Sequence, residues 1–202
     1  MNRRFGAVLA GVLALATPAL AADTYVVDKG HSEVGFQISH LGLSKVRGRF
    51  KDFDGTIRVD AAKPEASAVE FSVKTASIDT DNEKRDQDLR TGEGLLDVEK
   101  YPTLTFKSSK VVPKSKDHYD VTGTLTLHGV SKEVTMPVAV IGPIKDPWGN
   151  QRVSFEINTT LNRKDYGISY HKVLDTGGLV VGDDVSISIS LEAVKQKEGA
   201  GD

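Results

Sequence analysis

An all-β fold follows from three observations on this chain. Apolar and polar residues alternate in many short runs, most clearly in VSISISLEA, where Val185, Ile187, Ile189 and Leu191 share one face and serines the other. A repeat of two residues is the period of a half-buried strand. The alternation returns at Val34, Phe36 and Ile38, at Val69, Phe71 and Val73, at Val134, Met136, Val138 and Val140, and at Val153, Phe155, Ile157 and Leu161. Turn-forming residues separate the runs at short spacings, and no βαβ rhythm interrupts them.

In order, strands are predicted at 24–28, 32–40, 46–59, 67–78, 103–112, 118–128, 132–141, 151–161 and 183–194. The joins are Asp28-Lys29-Gly30, Lys63-Pro64, Pro113 to Asp117, His128-Gly129 and Pro147-Trp148-Gly149-Asn150. One segment departs from the β pattern: Asp81 to Arg90 is polar and helix-forming, and Thr80 followed by Glu83 has capping-box spacing. It is expected to be a short surface helix, with Arg85–Asp88 and Asp86–Arg90 at ion-pair spacing. The stretch from Arg163 to Asp183 is long for a plain loop, and its apolar residues are expected to fold it back on the body. Such a set of strands closes either as a two-sheet sandwich or as a barrel, filled or hollow, and periodicity does not choose between them.

The N-terminus reads as an export signal. Arg3 and Arg4 form a positive start, Phe5 to Ala16 is apolar but too short for a membrane span, and Ala19-Leu20-Ala21 offers a small-x-small cleavage site. Residues 1–21 are thus expected to be a signal peptide cleaved after Ala21, by ordinary secretion rather than the twin-arginine route. Residues 22–195 form one domain and 196–202 a frayed tail. No later segment is apolar and long enough to be an integral membrane span, and the expected location in a Gram-negative host is the periplasm.

Removing Arg3 and Arg4 takes the formal charge from -2 to -4, with the remaining charges mixed along the chain. That argues against nucleic acid as a partner. Zero cysteines exclude disulfides, thiol nucleophiles and thiolate metal sites.

No phosphate-binding Walker loop, GxSxG elbow or HExxH helix is present, so no catalytic residue is assigned. Asp79-x-Asp81-Asn82-Glu83 resembles a calcium loop only at its start, because Lys84 and Arg90 occupy the positions that need Gly and Glu. His31, His40, His118, His128 and His171 show no ligand spacing, and no metal is assigned. His40 ends the apolar face of its strand and stands as a polar tip at a cavity mouth or as a hydrogen-bonded strand end. Arg163 with Asp165, beside Tyr166-Gly167, reads as a buried Arg/Asp turn or as a clamp for an anionic head group. Of the six phenylalanines after residue 21, Phe36, Phe50, Phe71, Phe106 and Phe155 fall on the inward register and Phe53 at a turn.

Four stretches carry a family pattern: DKGHSEVGFQISHLGLSKVRGRFKDFDGTI; SIDTDNEKRDQDLR with DVEKYPTLTFKS; VTGTLTLHGVSKEV; and LNRKDYGI with GGLVVGDDVSI. Together they resemble the YceI-like family of lipocalin-like, polyisoprenoid-binding exported proteins, over nearly all of Tyr25 to Val194. The resemblance implies an all-β, lipocalin-like antiparallel eight-stranded barrel with a short helix near the mouth and a long apolar cavity. It implies an isoprenoid or other fatty-acid-like lipid as partner, no cofactor, no metal and no catalysis. The expected ligand-binding residues are Val34, Phe36, Ile38, His40, Phe50, Phe71, Val73, Leu89, Phe106, Phe155, Ile157, Arg163, Tyr166 and Ile168. Val185, Ile187, Ile189 and Leu191 are expected to line or close the tunnel. After Leu89-Arg90 the family usually has a small residue and two aromatics, where this chain has TGEGLLD, which bears on the helix-side mouth. Two other readings are a filled β-sandwich acting as an interaction or stress-protective module, and a lipid hydrolase or isomerase using His40 or Asp165. A homodimer would form at a strand edge or at the cavity mouth.

Overall fold

Valine, isoleucine, threonine and phenylalanine dominate the alternating runs, and residues of these types fit a pleated, half-buried surface. In the computed structural model, which describes residues 22–197, they form eleven strands and one α-helix. The strands are β1 (Asp23–Val27), β2 (Glu33–His40), β3 (Ser44–Phe50), β4 (Phe53–Val59), β5 (Ala68–Lys74) and β6 (Ile78–Asp79), followed by β7 (Thr103–Ser115), β8 (His118–Leu127), β9 (Val130–Lys145), β10 (Gln151–Asn162) and β11 (Val181–Lys195). Helix α1 (Glu83–Thr91) lies between β6 and β7. The predicted signal peptide and residues 198–202 of the tail lie outside the described residues.

All pairings are antiparallel, in the order β1-β4-β5-β7-β8-β9-β10-β11, and β1 returns to β11 through Tyr25 opposite Lys195 and Val27 opposite Ala193. That closes an eight-stranded barrel and overturns the sandwich alternative. Closure removes the sheet edges that Val/Ile-rich strands would otherwise expose. Strands β2, β3 and β6 continue the wall at one end, β2 pairing with β11 beyond the reach of β1.

Two predicted strands are each broken in two. The 46–59 run bends at Lys51-Asp52 into β3 and β4, and the 67–78 run bends at residues 75–77 into β5 and β6. The bends lie side by side and bond each other, Lys51 N to Ser77 O at 3.1 Å and Lys74 N to Asp52 O at 2.8 Å. Side-chain alternation persists across such a bend, which hides it from the sequence. β7 and β9 outrun their predicted ends, because Pro113 and Pro143 sit beside register shifts rather than stopping the strands. Phe53, read as a turn residue, opens β4 and is buried against Phe71, with ring centroids 5.9 Å apart.

The hairpins β4–β5, β7–β8 and β9–β10 lie at one end of the barrel, here termed the hairpin end. α1, the β8–β9 turn and the 163–180 segment lie at the other. α1 has no apolar face, so side-chain tethers hold it. The expected capping box does not form: Asn82 caps the helix by accepting from Arg85 N. Thr80 is buried and donates its N–H to Asp86 Oδ1 at 2.9 Å, and its hydroxyl to the same oxygen. Arg85 donates to Thr80 O and Oγ1, and Arg90 to Ala76 O and Ile78 O. Arg85 and Arg90, which stand at intrahelical ion-pair spacing, make these bonds instead, since backbone carbonyls leaving a sheet need donors more than the surface needs ion pairs. Asp86→Ala orphans a buried N–H and hydroxyl and is expected to cost about 2–3 kcal/mol. Urea unfolding of that variant beside Asp86→Asn measures it, and an unchanged midpoint for both would contradict the tether.

Near the hairpin end, Arg152 ties three strands together. Its Nε donates to Asp146 Oδ2 at 2.8 Å, its Nη1 to Asp28 Oδ2 at 2.8 Å, and it also bonds Glu192. The guanidinium, with Asn150 and two turn amides adding, holds the Asp146 carboxyl down to about 2. Asp28 is lowered in the same way, by Arg152 first and His31 second. Both carboxyls bind protons less readily folded than unfolded, so their stabilisation is complete above the ordinary value of 3.8 and is lost below it, for Asp146 as pH falls through about 2. Melting is expected to drop across that window, and Asp146→Asn to flatten the drop. A parallel drop in the variant would assign it elsewhere.

Candidate functional site: an apolar cavity along the barrel axis

Eight antiparallel strands enclose an interior wide enough for packed side chains or one small ligand. Here it is a cavity of about 510 Å³ that runs along the barrel. The middle of its wall is apolar: Ile57, Val69, Phe71, Leu104, Phe106, Val121, Leu125, Met136, Val138, Val153, Phe155, Ile157, Ile189 and Leu191 all contribute. Polar lining gathers at the hairpin end as Asp23, Asp60, Ser67, Asp117, Gln151 and Lys195, where Ala61, Gly142 and Pro143 are exposed. At the α1 end Gly35, Phe36, Thr159 and Ile187 also border a polar recess with Glu33, Arg47 and Asn158, and the helix stands beside it through Thr80.

Two glycines shape the wall by making room for rings. A side chain at Gly48 would collide with the Phe36 ring, and one at Gly55 with the Phe71 ring. An edge of each ring thus occupies the space that a side chain on the facing backbone would need. Gly55→Val is expected to push Phe71 inward and shrink the cavity, read as weaker retention of an apolar probe in a barrel with unchanged circular dichroism. Unaltered retention would mean that Phe71 has another place to go.

Eight of the predicted site residues stand on the cavity wall: Val34, Phe36, Phe50, Phe71, Val73, Phe106, Phe155 and Ile157. Six do not. Ile38 lies further along β2, between Val46 and Val185, and His40 ends that strand opposite Ser44 and Val181, past the closed part of the barrel. Leu89 is on α1. Arg163, Tyr166 and Ile168 are buried in the turn and segment after β10. Arg163 does not pair with Asp165: it donates to Gly182 O, Ile168 O and Asp183, while Asp165 is exposed and 3.4 Å from Lys132. Three of the five guanidinium N–H donors are so engaged, on a side chain that is buried and off the cavity wall. Tyr166 packs against the cluster containing Phe106 and Leu125, its hydroxyl buried without a hydrogen bond, and burial, then Asp165, pushes that hydroxyl's pKa up.

The expected set left out the wall residues of β9, although Met136, Val138 and Val140 show the same alternation as the strands it includes. Ile187, Ile189 and Leu191 line the cavity and Val185 does not. The wall carries no histidine, and its acids stand at the hairpin-end rim. Elsewhere Asp28, His31 and Glu192 bring ligating atoms within 4.8 Å of one another. Arg152 already bonds both carboxylates and supplies the positive charge a cation would bring.

A closed antiparallel barrel around an apolar cavity places the chain in the class of lipocalin-like barrels. Residues 25–193 match the YceI-like domain, and the chain belongs to that family. A UPF0312 protein of Azotobacter vinelandii (strain DJ) is 45% identical over 190 residues, covering 93% of this chain and 95% of its own. A UPF0312 protein of Pseudomonas putida (strain W619) is 41% identical, covering 98% and 100%. Among solved structures, the Campylobacter jejuni YCEI protein superposes with TM-score 0.68 at 32% identity, covering 84% of this chain and 96% of that one. BcnA of Burkholderia cenocepacia gives 0.72 at 26%, covering 82% and 98%. A polyisoprenoid binding domain from Saccharophagus degradans, 18% identical, shares the fold at TM-score 0.65, covering 85% and 98%.

Proposed function

We propose that this protein binds one long apolar chain, an isoprenoid or fatty-acid-like lipid, inside the barrel, and acts as a carrier or scavenger in the periplasm once residues 1–21 are removed. The observation that carries the reading is the cavity: an apolar wall through the middle, with polar residues confined to its ends. An apolar chain leaves water at about 0.8 kcal/mol per buried methylene. About ten buried carbons, about 8 kcal/mol, therefore offset the lower part of association costs of roughly 4–15 kcal/mol, and a longer chain offsets more. No polar contact is needed for affinity, and selectivity falls to cavity length and the rim. The reading is binding rather than catalysis: the polar groups of the lining stand at its ends, and the middle of the wall, where a chain would lie, is apolar. Among the described residues no helix is long and apolar enough to cross a membrane.

The test is to purify the protein from its native host, extract it with organic solvent and identify what is released by mass spectrometry. An apolar compound in near-stoichiometric amount is expected, and an N-terminus at Ala22. Recovery of none, before and after incubation with added isoprenoids and fatty acids, would refute the carrier reading.

A further inference from the structure

The β9–β10 hairpin projects past the barrel with large apolar side chains in solvent: Ile141 is 63% exposed, Ile144 62% and Trp148 79%. Soluble surfaces expose such residues singly, but grouping three on one projection marks a contact surface. Their placement follows from the backbone. Ile141 and Ile144 face Ser154 and Arg152 across the hairpin, with the register shift between them returning both to its outer side. Trp148 lies in the turn, whose backbone is fixed by Asp146 accepting from Trp148 N at 3.0 Å and Asn150 N at 2.8 Å. The apolar group is thus held out rigidly instead of folding down onto the protein.

The same hairpin is part of the cavity mouth. Gly142 and Pro143, between the two isoleucines, line the cavity, and so does Gln151 on the returning strand. Lys145 pairs in register with Gln151, and Lys116 sits in the adjacent β7–β8 turn, which bonds β9 through Val140 N to Asp117 O. Both lysines are exposed and have no ion pair among the described residues, whereas neighbouring Lys114 is 3.2 Å from Asp120. Of the acids at this end, Asp23 pairs with Lys195, Asp146 shares Arg152 with Asp28 and Glu192, and Asp60 and Asp117 stand at the rim. Tryptophan beside isoleucine, flanked by exposed lysines, is the composition that settles at the boundary of an anionic bilayer.

We infer that the β9–β10 hairpin docks the protein on an anionic lipid surface, with Ile141, Ile144 and Trp148 immersed and Lys116 and Lys145 against head groups, so that the hairpin-end mouth opens directly onto the membrane. This rests on the lipid-binding reading. It adds where the ligand enters: the chain passes from bilayer to cavity without crossing water. The partner is a lipid surface rather than a second copy, since the patch is continuous with the mouth of an apolar cavity and holds two exposed lysines beside its isoleucines and tryptophan.

Trp148 is the chain's single tryptophan, so its fluorescence reports the docking site alone. The processed protein, made by expressing the full chain and checked by mass spectrometry, is mixed with phosphatidylcholine vesicles with or without phosphatidylglycerol, and with vesicles carrying brominated acyl chains. Anionic vesicles are expected to shift Trp148 emission to the blue, and brominated chains to quench it. Ile141→Ser with Ile144→Ser is expected to weaken partitioning on the order of tenfold or more. Lys116→Gln and Lys145→Gln are expected to weaken it about fivefold each at low salt. Leu43→Ser, which removes an apolar residue 87% exposed at the opposite end, is expected to change nothing. No blue shift with anionic vesicles, or equal partitioning of the isoleucine variant with its melting temperature intact, would overturn docking. So would an emission shift that tracks protein concentration without lipid, together with a dimer in sedimentation, which would make the patch a self-association face. Lipid content after solvent extraction is measured on the same samples. An empty wild-type protein that still docks refutes the cavity reading, and a loaded one that fails to dock refutes this inference alone.

Discussion

Met136→Trp is expected to empty the barrel without unfolding it. Met136 faces inward on β9 opposite Val121, lines the cavity and packs between the two apolar clusters of the interior. Overpacking a filled core costs about 1–3 kcal/mol through strained rotamers and backbone shifts. Here the added ring volume has a cavity of about 510 Å³ to enter, so the barrel has a way to avoid most of that strain. The ligand meets the ring instead. Displacing roughly three or four methylenes at about 0.8 kcal/mol each removes about 3 kcal/mol of binding, or on the order of a hundredfold in affinity. Titration with a fluorescent lipid analogue, beside a thermal melt, separates the two effects. Retained affinity at wild-type stability would place the ligand outside the barrel; lost affinity with a collapsed melting temperature would mean that the site is packed rather than open.

Periodicity carried the strands because every inward residue of a closed antiparallel barrel lies on the same side of its pleat. That is why Ile187, Ile189 and Leu191 lie on the cavity wall. The same signal is blind to chain direction in space. Nothing in the alternation of 46–59 marks the bend at Lys51-Asp52, since the backbone bonds that stabilise it come from residues 74 and 77 of another run. Nor does it tell which inward residues sit within the closed section. Ile38 continues the face of Val34 and Phe36, yet beyond Phe36 the strand has left the cavity wall. Periodicity also left sandwich and barrel equal. The deciding contact pairs Tyr25 with Lys195, from opposite ends of the domain, and no local pattern records a closure of that span.

Polar residues were the least legible, and Arg163 shows why while offering the largest expected loss of stability. Its neighbour in sequence, Asp165, points to solvent and Lys132, whereas its partners come from the far side of a long segment. The guanidinium is 5% exposed and spends its donors on Gly182 O at 2.9 Å, Ile168 O at 2.8 Å and Asp183 Oδ1 at 2.9 Å. Those three acceptors flank the 169–181 segment, so one side chain fixes both ends of the long connection between β10 and β11. Arg163→Ala leaves buried carbonyls unpaired and is expected to cost about 3–5 kcal/mol. For a domain of this size that lowers the melting temperature on the order of 10 °C. Arg163→Lys is expected to recover little, because a single ammonium cannot reproduce the planar fork that reaches all three oxygens. Asp183→Asn should be milder: Lys164, 2.7 Å away, is the main cause of the lowered Asp183 pKa, and the two carbonyl bonds of Arg163 survive. Hydrogen exchange would then show protection lost along 169–181 in Arg163→Ala and retained in Asp183→Asn. If both variants melted alike, the stabilisation would belong to the ion pair and not to the carbonyls.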